Sequence, residues 1–131
     1  MVDRSNSLDN LQTALEMELT AVHQYLLHSH VLDDWGLDRM ANRMQTEMQE
    51  ELGHASSFID RILMLGGEPH VKPAKPPKRA DTLKDLFASD RKEEEGAIDF
   101  YSSAVKDALD NGDVGTRTLF EWIILDEEEH L

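Results

Sequence analysis

The chain has 131 residues, 27 acidic and 13 basic, a formal net charge of −14 and no cysteine. That length makes one domain able to bury about two-thirds of its unfolded surface, and the absent thiols exclude disulfides, thiolate metal sites and rubredoxin-type iron centres. The acidic balance argues against nucleic acid as a partner, no apolar run approaches the ~20 residues of a membrane span, and Met1-Val2-Asp3-Arg4-Ser5 lacks a signal-peptide pattern, so a cytoplasmic protein is expected.

The first predicted helix covers about 7–34, capped by Asn6 or Ser7. Its inward stripe is Leu8, Leu11, Leu15, Glu18, Val22, Tyr25, Ser29 and Leu32, with the alternating steps of three and four that a bundle helix requires. Glu18 interrupts that apolar stripe at its middle, where an ionised carboxylate is costly unless paired or bound to a metal. Gly36 breaks the chain. A second helix over about 37–65 carries the stripe Leu37, Met40, Met44, Glu47, Glu51, His54, Phe58, Ile62 and Leu65. Met40, Met44 and Met48 repeat at four-residue steps and read as gap-filling core or interface.

Residues 66–81 form one long link, opened by Gly66-Gly67 and holding all four prolines, at 69, 73, 76 and 77. Sixteen extended residues span roughly 50 Å, enough to cross a helix about 43 Å long. Short, long, short is the connection pattern of a ferritin-like four-helix bundle, here two antiparallel hairpins joined by a crossover. Asp81 or Thr82 caps a third helix over about 82–110, with the stripe Leu83, Phe87, Asp90, Glu94, Ala97, Tyr101, Ala104 and Ala108. Asn111-Gly112 turns into a fourth helix, 114–131, with Phe120, Ile123, Glu127 and His130 inward. The whole of 1–131 reads as a single all-α domain.

Two Glu-x-x-His pairs, Glu51/His54 and Glu127/His130, each follow a lone glutamate by 33 positions, Glu18 and Glu94. Glu18 and Glu94, Tyr25 and Tyr101, Glu51 and Glu127, His54 and His130, and Ala21 and Ala97 all stand 76 positions apart. Internal repeats of this kind mark repeated structure. One Glu from each of two helices and Glu-x-x-His from each of the other two is the di-iron or di-manganese pattern of helix bundles. Hard carboxylate oxygens can bridge two metal ions, while two imidazoles leave open positions for dioxygen or peroxide. Zinc sites take fewer carboxylates and are tetrahedral, although Mn or Zn could substitute for iron. Tyr25 and Tyr101 read as radical or hydrogen-bond partners, or as core rings bonded to a carboxylate, the last being preferred for Tyr101. His23, His28, His30 and His70 lack a partner pattern and are expected at the surface. Glu47 and Asp90, one turn from the site, either relay iron or stay solvated.

Leu15-Glu16-Met17-Glu18-Leu19-Thr20-Ala21-Val22-His23-Gln24-Tyr25, Asp34-Trp35-Gly36-Leu37, Glu51-Leu52-Gly53-His54, Arg61-Ile62-Leu63 with Gly67 and Pro69, and Asp126-Glu127-Glu128-Glu129-His130 resemble bacterioferritin across essentially the whole chain. The resemblance implies iron storage and a ferroxidase centre of two iron ions per subunit. In it Glu51 and Glu127 bridge the metals, Glu18 and His54 complete one iron, Glu94 and His130 complete the other, and Tyr25 lies close by. It also implies a homo-oligomer, a two-fold dimer and a 24-subunit cage. Leu52 stands where the family has its haem-ligand methionine, so haem is not expected. Thr46 and Glu50 stand where the family often has a histidine and an aspartate of an inner iron site. The family continues the fourth helix beyond His130 and adds a short fifth. Two other readings make different demands on the sequence. A rubrerythrin-like peroxide reductase has an electron-donor domain that needs cysteines, and its second third-helix glutamate falls here at Ala97. A non-catalytic metal-binding cage subunit need not keep all six ligands.

Overall fold

Four helices form where the three-and-four spacing of apolar residues predicts them. In the computed structural model, which describes residues 4–130, they are α1 (Ser5–Asp34), α2 (Asp38–Met64), α3 (Leu83–Asp110) and α4 (Val114–Glu128). Met1, Val2, Asp3 and Leu131 lie outside the described residues, and with Leu131 the last position of the expected fourth helix; Glu129 and His130 form a turn after α4. Among the described residues there is no strand. The helix pair α1–α2 packs as one hairpin and α3–α4 as the other, with α1 lying against α3 between them.

The helix ends follow from local chemistry. Gly36 takes a φ of 78° and Gly66 one of 82°, left-handed values that cost glycine nothing and strain other residues. After α1 the Leu37 N–H reaches back to the Leu32 carbonyl at 2.9 Å, which closes the helix. Thr82 caps α3 by accepting the Asp85 N–H at 3.1 Å. At the first helix the structure differs from expectation. The Leu8 N–H already bonds the Arg4 carbonyl, so the ladder runs through Asn6 and Ser7 and neither acts as cap.

Two apolar clusters fill the bundle. Leu11, Leu15, Phe58, Ile62, Tyr101 and Phe120 form one, while Leu32, Met44 and Leu86 close around Tyr25 in the other. The rings of Phe58, Tyr101 and Phe120 meet with centroids 5.3–5.7 Å apart. Each such buried side chain stabilises the fold by about 1.5–3 kcal/mol. Two expected core residues lie elsewhere: Met40 and Phe87 are 40% and 42% exposed, and Leu86 is fully buried instead. Met40 on α2 and Phe87 on α3 both line an open groove of about 350 Å³ that also reaches Tyr25, Glu94 and His130.

The crossover is clasped, not loose. Gln12 accepts the His70 N–H at 2.9 Å and donates to the His70 carbonyl at 3.0 Å. Thr20 Oγ1 accepts the Ala74 N–H at 2.9 Å. Gln24 accepts the Lys78 N–H at 2.9 Å and donates to its carbonyl at 2.8 Å. His28 accepts the Ala80 N–H through Nε2 at 3.4 Å. These α1 residues are one or two turns apart, so a polar face of α1 runs alongside the link and satisfies its backbone. His28 corrects the surface assignment: it is fully buried, with Nδ1 3.1 Å from Asp90 Oδ1. A backbone N–H can only donate, so Nε2 is the acceptor and Nδ1–H donates to Asp90. Asp90 is itself buried, not solvated. Arg61 ties the far end of the bundle, donating to Asp113 Oδ1 at 2.8 Å and Thr116 Oγ1 at 3.2 Å.

Replacing Gln24 with alanine strips both bonds to Lys78 and the contact with His28. The expected cost is about 1–3 kcal/mol of stability, with hydrogen-exchange protection at Lys78 lost before that of the helices. Unchanged protection at Lys78 would show that the link does not depend on this rung.

Candidate metal centre

Glu18 of α1, Glu51 and His54 of α2, Glu94 of α3 and Glu127 of α4 all point between the two apolar clusters. The four glutamates are at most 4% exposed and His54 is 8% exposed. His130 follows the end of α4, yet its side chain is only 7% exposed. The six residues fall into two overlapping groups, Glu18, Glu51, His54 and Glu127, and Glu51, Glu94, Glu127 and His130. Within each group one donor atom per residue lies within 4.8 Å of all the others. Glu51 and Glu127 belong to both. The helical spacing brings this about: three positions apart on a helix places Glu51 beside His54, and the crossed hairpins set that pair against its counterpart.

Each terminal glutamate is held by a tyrosine of the opposite hairpin. Tyr25 donates to Glu94 Oε1, and Tyr101 donates to Glu18 Oε1 at 2.6 Å. Both tyrosines are buried, so the core-ring reading holds for Tyr101 and also describes Tyr25. Each histidine turns Nδ1 inward. His54 Nδ1 lies 2.7 Å from Glu127 Oε1 and 3.7 Å from oxygens of Glu18 and Glu51. His130 Nδ1 lies 3.0 Å from Glu51 Oε1. Outward, His54 Nε2 lies 3.1 Å from Asp126 Oδ2, and His130 Nε2 contacts Glu50 Oε2.

The inner atoms are close but not hydrogen-bonded. Glu18 Oε2, Glu51 Oε1, His54 Nδ1, Glu94 Oε2, both oxygens of Glu127 and His130 Nδ1 are buried without a partner of proper hydrogen-bond geometry. The short His54–Glu127 distance is thus a contact between charged or lone-pair atoms, and directionality is the better guide to its nature. Buried polar atoms are rarely left so. Seven orphaned atoms converging on one point, all oxygen or imidazole nitrogen, fit a pair of hard or borderline divalent cations. A cavity of about 250 Å³ opens over the cluster between α1, α3 and the crossover. Ala21 and Ala97 line it and leave room over the carboxylates, and Lys75 and Glu93, paired at 2.5 Å, stand at its side.

Without cations the cluster holds protons. Burial, then the neighbouring Glu51 carboxylate, holds Glu18 well above the usual carboxyl range. Burial and Glu127 push Glu94 to about 10. Burial likewise takes Glu51 to about 8, even though the nearby Glu18 and His54 side chains pull it down. Burial alone would lower His54 and raise Glu127, but the pair outweighs burial for both. Carboxylates of Glu127, Glu18 and Glu51 hold the imidazolium well above its ordinary value, and Glu127 falls to about 2.

All seven residues singled out from the sequence, Glu18, Tyr25, Glu51, His54, Glu94, Glu127 and His130, come together here. Glu50 and Asp126 were not singled out as partners of the histidines. Their separation, 76 positions like the rest, was the available signal. Glu47 is half-buried and lines the α2–α3 groove with Asp90.

The chain matches the ferritin-like domain family over residues 8–131. It is 36% identical to bacterioferritin of Rhodobacter capsulatus over 124 residues, 95% of this chain and 77% of that protein. It is 36% identical to bacterioferritin of Mycolicibacterium paratuberculosis over 121 residues, 92% of this chain and 76% of that one. Among solved structures it superposes on R. capsulatus bacterioferritin with a TM-score of 0.94 at 35% identity, covering 99% of this chain and 81% of that chain. That structure is described with a metal-free dinuclear site and a haem iron. The Mycobacterium tuberculosis protein gives a TM-score of 0.93 at 32% identity, covering 99% and 80%. Among the described residues no helix is long and apolar enough to cross a membrane.

The proton-holding cluster gives the metal-free protein a distinctive pH dependence. Glu51 and Glu94 are raised, so their protons stabilise the fold fully below the ordinary carboxyl value of 4.5, and that stabilisation is lost as pH climbs through about 8 and then about 10. The lowered Glu127 contributes above 4.5 and loses its contribution only as pH falls toward about 2. In chelator, the melting temperature should therefore decline as pH is raised from weakly acidic to about 9. Glu94→Gln, neutral at every pH, should flatten the decline. A melting temperature that rises over this interval would contradict the buried proton load.

Proposed function

The chain belongs to the ferritin-like family, among the bacterioferritins, and from that premise we propose that it oxidises Fe(II) to Fe(III) at the six-residue centre and delivers the product to storage. The observation that carries this reading is the pair of overlapping donor groups that share Glu51 and Glu127. Glu18, Glu51, His54 and Glu127 would hold one iron, and Glu51, Glu94, Glu127 and His130 the other. Mn(II) or Zn(II) could occupy the same donors. Iron here is substrate as well as occupant.

The residues divide the work by geometry. Glu51 and Glu127 lie in both groups and would act as bridges. Glu18 and Glu94 each spend one oxygen on a tyrosine hydroxyl and present the other, which keeps each carboxylate in one orientation. Tyr25 donates to Glu94 and so touches the donor set. Four carboxylates would balance the charge of two Fe(II) ions, and the higher charge after oxidation would favour hydroxide or oxide as companion. The electrons balance simply. Two Fe(II) release one electron each, and dioxygen with two protons becomes hydrogen peroxide, or hydrogen peroxide with two protons becomes two waters. Loading the site would require Glu18, Glu51 and Glu94, whose pKa values burial raises, to give up protons. The cavity lined by Ala21 and Ala97 gives a small oxidant a place beside the pair.

Storage implies a compartment, and we extend to this chain the two-fold dimer and cage of the family, together with a cytoplasmic location. Haem ligation does not fit. Leu52, 43% exposed on α2, has no donor atom at the position of the family's ligand methionine. Met48 lies one turn, roughly 6 Å, away along the axis.

Two measurements test these statements. In stopped-flow Fe(II) oxidation, Glu51→Ala should lose the fast phase by more than about tenfold, while Glu95→Gln, exposed and paired with Arg91, should keep it. Equal rates in the two variants would remove the assignment. In haem reconstitution the unchanged protein should give no low-spin bis-thioether spectrum, and Leu52→Met should create one; a sharp low-spin spectrum without the substitution would contradict the proposal.

A further inference from the structure

The cavity over the centre is walled by α1, the crossover and α3. Ala21, Ala74 and Ala97 keep it open around the carboxylates, while Met17, Lys75 and Glu93 bring longer side chains to it. The walls are joined in different ways. Between α1 and the crossover the bonds involve the backbone: the Ala74 N–H meets Thr20 Oγ1 at 2.9 Å and the Glu16 carbonyl at 3.2 Å. That side is fixed. Beside the cavity the crossover meets α3 through two side-chain ends, Lys75 Nζ donating to Glu93 Oε1 at 2.5 Å. These side chains are 60% and 39% exposed, whereas the glutamates of the centre are buried. The pair therefore stands at the solvent end of the cavity and the donors at its floor.

We propose that the Lys75–Glu93 pair gates the passage of a small neutral oxidant, of the class of dioxygen or hydrogen peroxide, between solvent and the centre. The proposal rests on the metal-centre reading above and deepens it. The lysine stem is long and flexible, and its backbone neighbour Ala74 stays clasped to α1, so the mouth opens by side-chain rotation without unfolding the link. Exposed ion pairs hold their partners together only a few-fold more often than not, so the closure is partial and quickly reversed. Closed, the two charges cancel, and Glu93 is not left free to capture a passing cation. The oxidant comes to rest on the metals and not on the pair. Such a gate slows arrival and departure by the same factor and leaves the affinity of the centre untouched. Arg91 and Glu95 form a second exposed pair on α3, 2.9 Å apart, that does not line this cavity, and they serve as the matched control.

The test is nitric oxide binding to the Fe(II)-loaded whole chain in the absence of oxygen. Association is followed by stopped-flow nitrosyl absorption, and release by transfer to a nitric oxide scavenger. Lys75→Met combined with Glu93→Gln removes the pair but keeps side-chain length and net charge. It should raise both rates alike, by about two- to fivefold, with the equilibrium constant unchanged. The exchange Lys75→Glu with Glu93→Lys rebuilds the pair in reverse and should bring both rates back toward those of the unmodified chain. Arg91→Met with Glu95→Gln should change neither. In the unmodified chain, raising ionic strength from about 0.02 M to about 0.5 M should speed both rates by screening the pair, and the neutral double variant should not respond. Unchanged rates in that variant, a rise that the exchange does not reverse, or a shift in affinity carried by release alone would each overturn the gate. Should the double variant fail to fold, Glu93→Gln and the salt series decide: faster arrival and departure support the gate, and indifferent rates overturn it. Fe(II)-treated chain that gives no nitrosyl absorption overturns the metal-centre reading and the gate with it, an outcome distinct from normal binding that ignores the pair.

Discussion

Four carboxylates converge inside the bundle, each at most 4% exposed, in two overlapping groups whose donor atoms lie close enough to hold a metal ion. Left ionised and alone, they would repel one another in a medium that screens poorly, at a cost of several kcal/mol per charge. Their neighbours in the structure each answer that crowding. Tyrosine hydroxyls take one oxygen of Glu18 and of Glu94. Imidazoles stand against Glu127 and Glu51. Protons occupy what remains. The apolar clusters on either side prevent the simplest escape, which is to let water in.

The same crowding explains why the site coincides with the seam between hairpins. Tyr25 serves a glutamate of α3, Tyr101 serves one of α1, and the two histidine contacts cross between α2 and α4. Neither hairpin closes its own polar groups. Removing one member leaves a buried group without its partner on the far side, which costs more than the contact itself was worth. The candidate metal donors and the cohesion of the fold therefore share atoms.

The helices and the six donors were legible because burial imposes a period, and an acid on an apolar stripe stands out against it. Glu18 between Leu15 and Val22, and Glu94 between Asp90 and Ala97, needed no structure to be noticed. His28 was misplaced because its partners, Asp90, Gln24 and Ala80, come from other elements or lie off the stripe that frames it. The polar ladder along α1 was invisible for a related reason: Gln12, Thr20 and Gln24 look like a solvated face until the crossover is laid over them. Met40 and Phe87 fit the period and are nonetheless exposed, because a stripe says which residues share a face and not whether anything packs over it.

Asp90 stands one turn before Glu94, and Glu47 one turn before Glu51. A helix shifted along its axis by a single turn, about 6 Å, would still present a carboxylate to the centre, so the acids alone do not specify the axial alignment of α3 on α1. Three polar bonds between α1 and α3 do. Tyr25 holds Glu94 and Tyr101 holds Glu18 at the centre, while His28, where the ladder of crossover bonds along α1 ends, engages Asp90 and withholds it. Two adjacent acids on α3 are thus sorted by the α1 side chain each one meets, a tyrosine hydroxyl or an imidazole.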